Sequence, residues 1–146
     1  MQTSGHEVLV QQRLSTLLLQ VECANTAHTS LRRMAGCDEN DAVVSLLTRL
    51  QELAKMPKHE TLVCGGSRCE YHANIDAALC EADRLLQSDR HIAQLATQRA
   101  AQDCCVSPAH QFDMFGNLAV IEAFVATAKA LAYQILSALA ISQMAN

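Results

Sequence analysis

The chain has 146 residues, half of them hydrophobic but only 3% aromatic and none Trp, with five Gly and two Pro. That is enough to bury the core of one domain (1–146) without disulfides, and too little turn-forming material for a many-stranded sheet. A net charge of −4 and a pI of about 5.8 leave no basic footprint for a phosphate backbone, which excludes nucleic acid as a partner. Arg32-Arg33 is the only adjacent basic pair, too small for a membrane-surface patch. The seven Cys are an odd number, and the opening residues Met1 to Glu7 lack a basic start followed by an apolar run. Both point to free thiols in an intracellular, cytoplasmic setting.

Taken in chain order, the first element is announced by Ser4-Gly5-His6-Glu7, the spacing of a capping box. It is followed by Val10, Leu14, Leu17, Val21, Ala24, His28, Leu31 and Ala35, whose steps alternate four and three. Such a line stays on one side of a helix packed along a partner, as in a coiled-coil seam. The spacing predicts a helix over 6–35, stopped by Gly36. Asp38-Glu39-Asn40-Asp41 offers N-cap candidates for a second, shorter helix over 41–56, with Val43, Val44, Leu46, Leu47, Leu50 and Leu53 as its apolar face. Pro57 ends it, and 57–69 reads as a loop holding the double glycine Gly65-Gly66.

A third helix is predicted over 70–104, with a seam of Ile75, Leu79, Ala82, Leu86, Asp89, Ala93, Ala96 and Ala100 and a weakened, kink-prone middle at Ser88-Asp89-Arg90. Ser107-Pro108 places a cap before a proline at the first helical position, opening a fourth helix over 108–144 that Gly116-Asn117 is expected to bend or restart. From Leu118 to Met144 its charges are Glu122 and Lys129 alone, with Tyr133 and Ser137 continuing the same strip. The length suits a bilayer, but the Ala, Thr and Ser content and the aligned polar strip favour a buried bundle helix over a membrane span. The fold expected is all-α: an antiparallel, up-and-down four-helix bundle with long first, third and fourth helices.

Two sets of residues bear on chemistry. Cys64, Cys69 and His72, with His59 nearby, provide thiolate and imidazole ligands suited to tetrahedral zinc, though not at the paired spacing of a zinc knuckle. Zinc is therefore the alternative to an expectation of no cofactor, and a zinc-dependent sensor the alternative function. His28 and Asp89 are the polar members of their seams, eighteen residues beyond Val10 and fourteen beyond Ile75 respectively. Similar heights on two parallel, diagonal helices predict a buried contact that fixes register.

The stretch Ala27-His28-Thr29-Ser30-Leu31-Arg32-Arg33-Met34-Ala35-Gly36, followed by Leu46 to Leu53, resembles the surroundings of the reactive histidine in histidine phosphotransfer domains. The resemblance implies a phosphoryl group carried on His28. The Lys and Gly that follow the histidine three and four places on in that family are Leu31 and Arg32 here. No Glu-x-x-His, nucleophile elbow or phosphate loop occurs in the chain. The expectation is thus a non-catalytic helical interaction module, self-associating or a subunit of a larger assembly, that binds other helical proteins. Its expected contact residues are Leu14, Leu17, Val21 and Leu31 on the first helix and Phe124, Leu131, Ile135 and Leu139 on the last.

Overall fold

In a computed structural model, residues 5–55, 70–102 and 108–144 are described, and they form four helices packed as a bundle: α1 (Gly5–Met34), α2 (Ala42–Ala54), α3 (Glu70–Gln102) and α4 (Pro108–Met144). No strand occurs among the described residues. Each helix end lies within two residues of its expected place. Ser4, Pro57, Gly65-Gly66 and Ser107, singled out above as caps and breakers, lie outside the described residues.

The seams become the core. Val10, Leu17, Ala24, His28 and Leu31 of α1 are buried, and Leu14, Val21 and Ala35 are half-covered beside them. On α3 the buried line is Ile75, Ala78, Ala82, Leu85, Asp89, Ile92 and Ala96, in steps of three and four, with Ala93 beside it; Leu79 and Leu86, expected on the seam, are half-buried at its edge. α2 buries Val43, Leu46, Leu47, Leu50 and Leu53, whereas Val44, expected on the same face, is exposed. The most extensive contacts are those of α4 with α1 and then with α3, so the most apolar helix has the most neighbours. Neither expected interruption materialises. α3 runs unbroken through Ser88-Asp89-Arg90 because Asp89 finds a partner across the bundle, and α4 runs through Gly116-Asn117, held on either side by buried Met114 and Ile121.

Polar contacts give the sense of two helix pairs. Lys129 meets Asp83 at 2.8 Å and Glu122 meets Arg90 at 3.4 Å, so partners descend along α4 as they ascend along α3. His28 meets Asp89, and the carbonyl of Ala35 accepts from Arg99 at 2.8 Å, so α1 and α3 ascend together. The α4 stretch Met114–Ala138 is long and apolar enough to cross a membrane by composition alone. Its two charges are nonetheless both engaged by α3, and Ile121, Phe124, Leu131 and Ile135 are wholly buried among the other helices.

The stop after α1 is built in detail. The N–H of Cys37 donates to the carbonyl of Arg32 at 2.7 Å and that of Gly36 to Arg33 at 3.1 Å, the paired bonds of a Schellman motif. Gly36 occupies the left-handed region with φ 72°, and the side chain of Arg99 lies so close that a Cβ there would sit 2.6 Å from its guanidinium. The Arg99 charge also faces the negative end of the α1 dipole. Gly36→Ala is expected to lose about 1–2 kcal/mol from left-handed strain alone, measured as a lowered urea midpoint at unchanged slope. An unchanged midpoint would show that the turn is not held in this conformation.

Candidate functional site

A helix interior seats polar side chains only where they meet partners, because an unpaired buried donor or acceptor costs about 1–3 kcal/mol. His28 and Asp89 are the buried polar residues of the described bundle, 1% and 0% exposed. The Nδ1 of His28 lies 2.7 Å from Oδ2 of Asp89, and its Nε2 lies 2.6 Å from Oδ1 of Asn40. Three elements converge here: α1 supplies His28, α3 supplies Asp89, and the connection 35–41 supplies Asn40 just ahead of α2. Asn40 has a local duty too, since its Oδ1 accepts from the N–H of Ala42 at 3.1 Å. Asp41, at the N-cap position, makes no such side-chain bond, so Asn40 starts α2 from one residue further back.

Asn40 was named above only as one of four capping candidates. Its contact with His28 comes from the short turn that folds it back over α1, and periodicity carries no trace of that. The usable signal was spacing: a capping amide twelve residues after a seam histidine, with a glycine stop between them.

Burial of the His28 ring pushes its pKa down, while the hydrogen bonds to Asp89 and Asn40 and the Asp89 charge push it up; Arg32 opposes them weakly, and the balance lies above the ordinary 6.5. The second oxygen of Asp89, Oδ1, is buried without a hydrogen bond. With both ring nitrogens engaged and the ring enclosed, His28 presents no atom to a phosphoryl donor. The chemistry open to this trio is proton binding and helix fastening.

The remaining site candidates fall elsewhere. His59, Cys64 and Cys69 lie outside the described residues; His72 is half-buried in the first turn of α3. Among the described residues no group of His, Cys, Asp or Glu is placed to hold a metal ion. Cys23 and Cys80 are exposed and Cys37 is half-buried, all three unpaired. Of the residues expected to face a partner, Leu17, Leu31, Phe124, Leu131 and Ile135 instead lie wholly inside the bundle, because the seams they belong to close on one another. Leu14 and Val21 are half-covered, and the side chain of Leu139 lies outside those described. What faces water is a different set: Leu19 at 82% exposure, Leu18 at 44%, and Phe115 and Tyr133 on α4. A shallow groove runs along the outer side of α2, lined by Val44, Thr48, Arg49 and Leu53 and reaching Asn74 on α3. Its mixed lining also includes Asp41, Ser45 and Glu52. Comparison with protein-family models, with curated proteins and with solved structures found no match for the chain.

Removing one partner from a buried ion pair strands the other. Asp89→Leu alone is expected to lose about 3–5 kcal/mol of unfolding free energy, and the His28→Leu/Asp89→Leu double variant to recover most of it. Additive losses in urea titrations would show that the two do not act as a pair. The raised pKa of His28 also fixes a sign: its contribution is full below the unfolded value of 6.5 and is lost as pH rises through the higher folded value. Unfolding free energy should therefore decline with rising pH on the alkaline side of 6.5, and this slope should vanish in His28→Leu.

Proposed function

We propose that the chain is a non-catalytic helical interaction module that offers one edge of α1 to an amphipathic helix of another polypeptide. The observation that carries this reading is the apolar edge formed by Leu14, Leu18 and Val21, with Leu19 beside it. Leu14 and Val21 are half-covered by the core, whereas Leu18 and Leu19 face water. At about 1.5 Å per residue the 30 residues of α1 reach roughly 45 Å and the 13 of α2 roughly 20 Å. A neighbour folded back from residues 35–41 thus reaches along only the C-terminal half of α1. Leu14, Leu18 and Val21 stand at steps of four and three, the anchor spacing by which one helix seats against another.

From Gln11 to Asn25 the surface around this edge carries two charged residues, Arg13 and Glu22, so packing outweighs charge in the association proposed. Two ion pairs cross between α3 and α4, Arg90 with Glu122 and Asp83 with Lys129. α2 and α3 are tied likewise by Arg49 and Glu81 at 2.7 Å. The exposed, unpaired thiols of Cys23 and Cys80 suit an intracellular, reducing setting. Enclosure of His28 by Asp89 and Asn40 supports the interaction module over a phosphoryl carrier.

The experiment is light scattering of the purified chain across a concentration series, with a Leu18→Ser/Leu19→Ser variant alongside. An assembly larger than one chain, reduced to monomer in the variant with its helical circular dichroism intact, is the expected outcome. If a different protein is the natural occupant, the wild-type chain is monomeric but retains a helical partner recovered by crosslinking from Cys23, and the variant does not. A wild-type chain that is monomeric and yields the same crosslinks as the variant would overturn the reading.

A further inference from the structure

Asn40 is held from two sides at once. Its Oδ1 meets the backbone N–H of Ala42 at 3.1 Å and Nε2 of His28 at 2.6 Å. A backbone N–H can only donate, so the atom that faces it is the amide oxygen and not the amide nitrogen. That oxygen can only accept, so Nε2 of His28 carries a hydrogen. Across the ring, Nδ1 stands 2.7 Å from a carboxylate oxygen, a separation at which a proton lies between the two atoms. The trio therefore holds one proton more than a neutral imidazole beside a carboxylate ion, whether it is drawn on Nδ1 or on Oδ2.

We infer that this proton is a ligand of the bundle, and that its release to water uncaps α2 by taking Asn40 away from Ala42. The order of events follows from charge. The bond at Nδ1 is assisted by the Asp89 carboxylate, whereas the bond at Nε2 ends on a neutral amide beside solvent, so the proton leaves from Nε2. Nε2 is then a bare acceptor pointed at an oxygen. Turning the Asn40 amide over relieves the clash, because its nitrogen donates to Nε2. The same turn brings that nitrogen to Ala42, where two donors face each other and the bond that caps α2 at Ala42 is lost. A chemical event inside the α1–α3 interface is in this way read out at the start of a different helix.

The charged groups around the ring are few. Arg32 comes from α1 and Asp89 from α3. The connection carries Asp38, Glu39 and Asp41 on its exposed side; Glu39 is paired with Arg33, and the carbonyl of Asp38 accepts from Arg32. On α2 Arg49 is paired with Glu81 and Glu52 with Lys55, and on α4 Glu122 and Lys129 are paired with α3. The raised pKa of His28 places the transition on the alkaline side of 6.5.

Nitrogen-15 NMR of the His28 ring, followed from about pH 6 to about pH 10, tests this directly. The expected result is a doubly protonated ring at the acid end, loss of the proton from Nε2 first, and a fall of about tenfold or more in the hydrogen-exchange protection of the Ala42 amide over the same interval. Asn40→Asp offers an oxygen to Ala42 in either orientation and adds a negative charge. It is expected to move the ring's midpoint further up and to abolish the fall in Ala42 protection. A single neutral tautomer throughout, loss from Nδ1 first, or an equal fall in protection in the variant would each overturn the inference.

Discussion

The bond between His28 and Asp89 is the constraint on which the arrangement of the helices turns. Apolar residues along a seam are nearly interchangeable, and a bundle held by them alone can slide by a turn and bury similar area. A buried histidine opposite a buried aspartate removes that freedom, since a slip of one turn, about 5.4 Å, would leave both without partners in a medium that penalises them. The second tie between α1 and α3, Arg99 to the Ala35 carbonyl, lies further along both helices and agrees in register. Asn40 carries the same constraint into the start of α2. A single polar cluster thus sets the relative height of three helices, while α4 closes the bundle by packing.

Polarity is distributed economically through the rest of the molecule. The ion pairs given among the described residues mostly cross helix boundaries, such as Arg49 with Glu81, Lys129 with Asp83 and Arg90 with Glu122. Exposed pairs of this kind contribute little stability each, typically under about 1 kcal/mol, but they choose which helix faces lie side by side. One edge of α1 escapes this scheme. Leu18 and Leu19 face water at 44% and 82% exposure, with Glu22 the one charged residue within a turn after them, and that exception gives the interaction reading its footing.

Much of the bundle was legible in the sequence because helical periodicity is local. The alternation of four and three from Val10 to Ala35 needs only the geometry of one helix, and it places His28 on the seam before any partner is known. The pairing of His28 with Asp89 was within reach for a related reason: two polar residues on apolar lines need each other. Three features were not legible. The continuity of α3 through Ser88-Asp89-Arg90 depends on the partner across the bundle, which local propensity ignores. Asn40 joins the cluster through the path of a turn, and turn paths follow from backbone angles such as that of Gly36 rather than from patterning. Whether seam residues such as Leu17 and Leu31 meet another chain or the molecule's own helices depends on how the other segments close on α1, and the structure buries both. Apolar composition alone could not say which leucines the molecule keeps for itself.

The pairing of both α4 charges with α3 carries a consequence for biosynthesis. A nascent segment such as Met114–Ala138 has the makings of a signal for membrane-insertion machinery, which samples hydrophobic stretches as they leave the ribosome. Asp83 and Arg90 are translated before Lys129 and Glu122, so the counter-charges already exist when the greasy segment emerges. Vectorial synthesis thus supplies the docking strip ahead of the helix that needs it, and the reverse gene order would leave α4 to fend for itself.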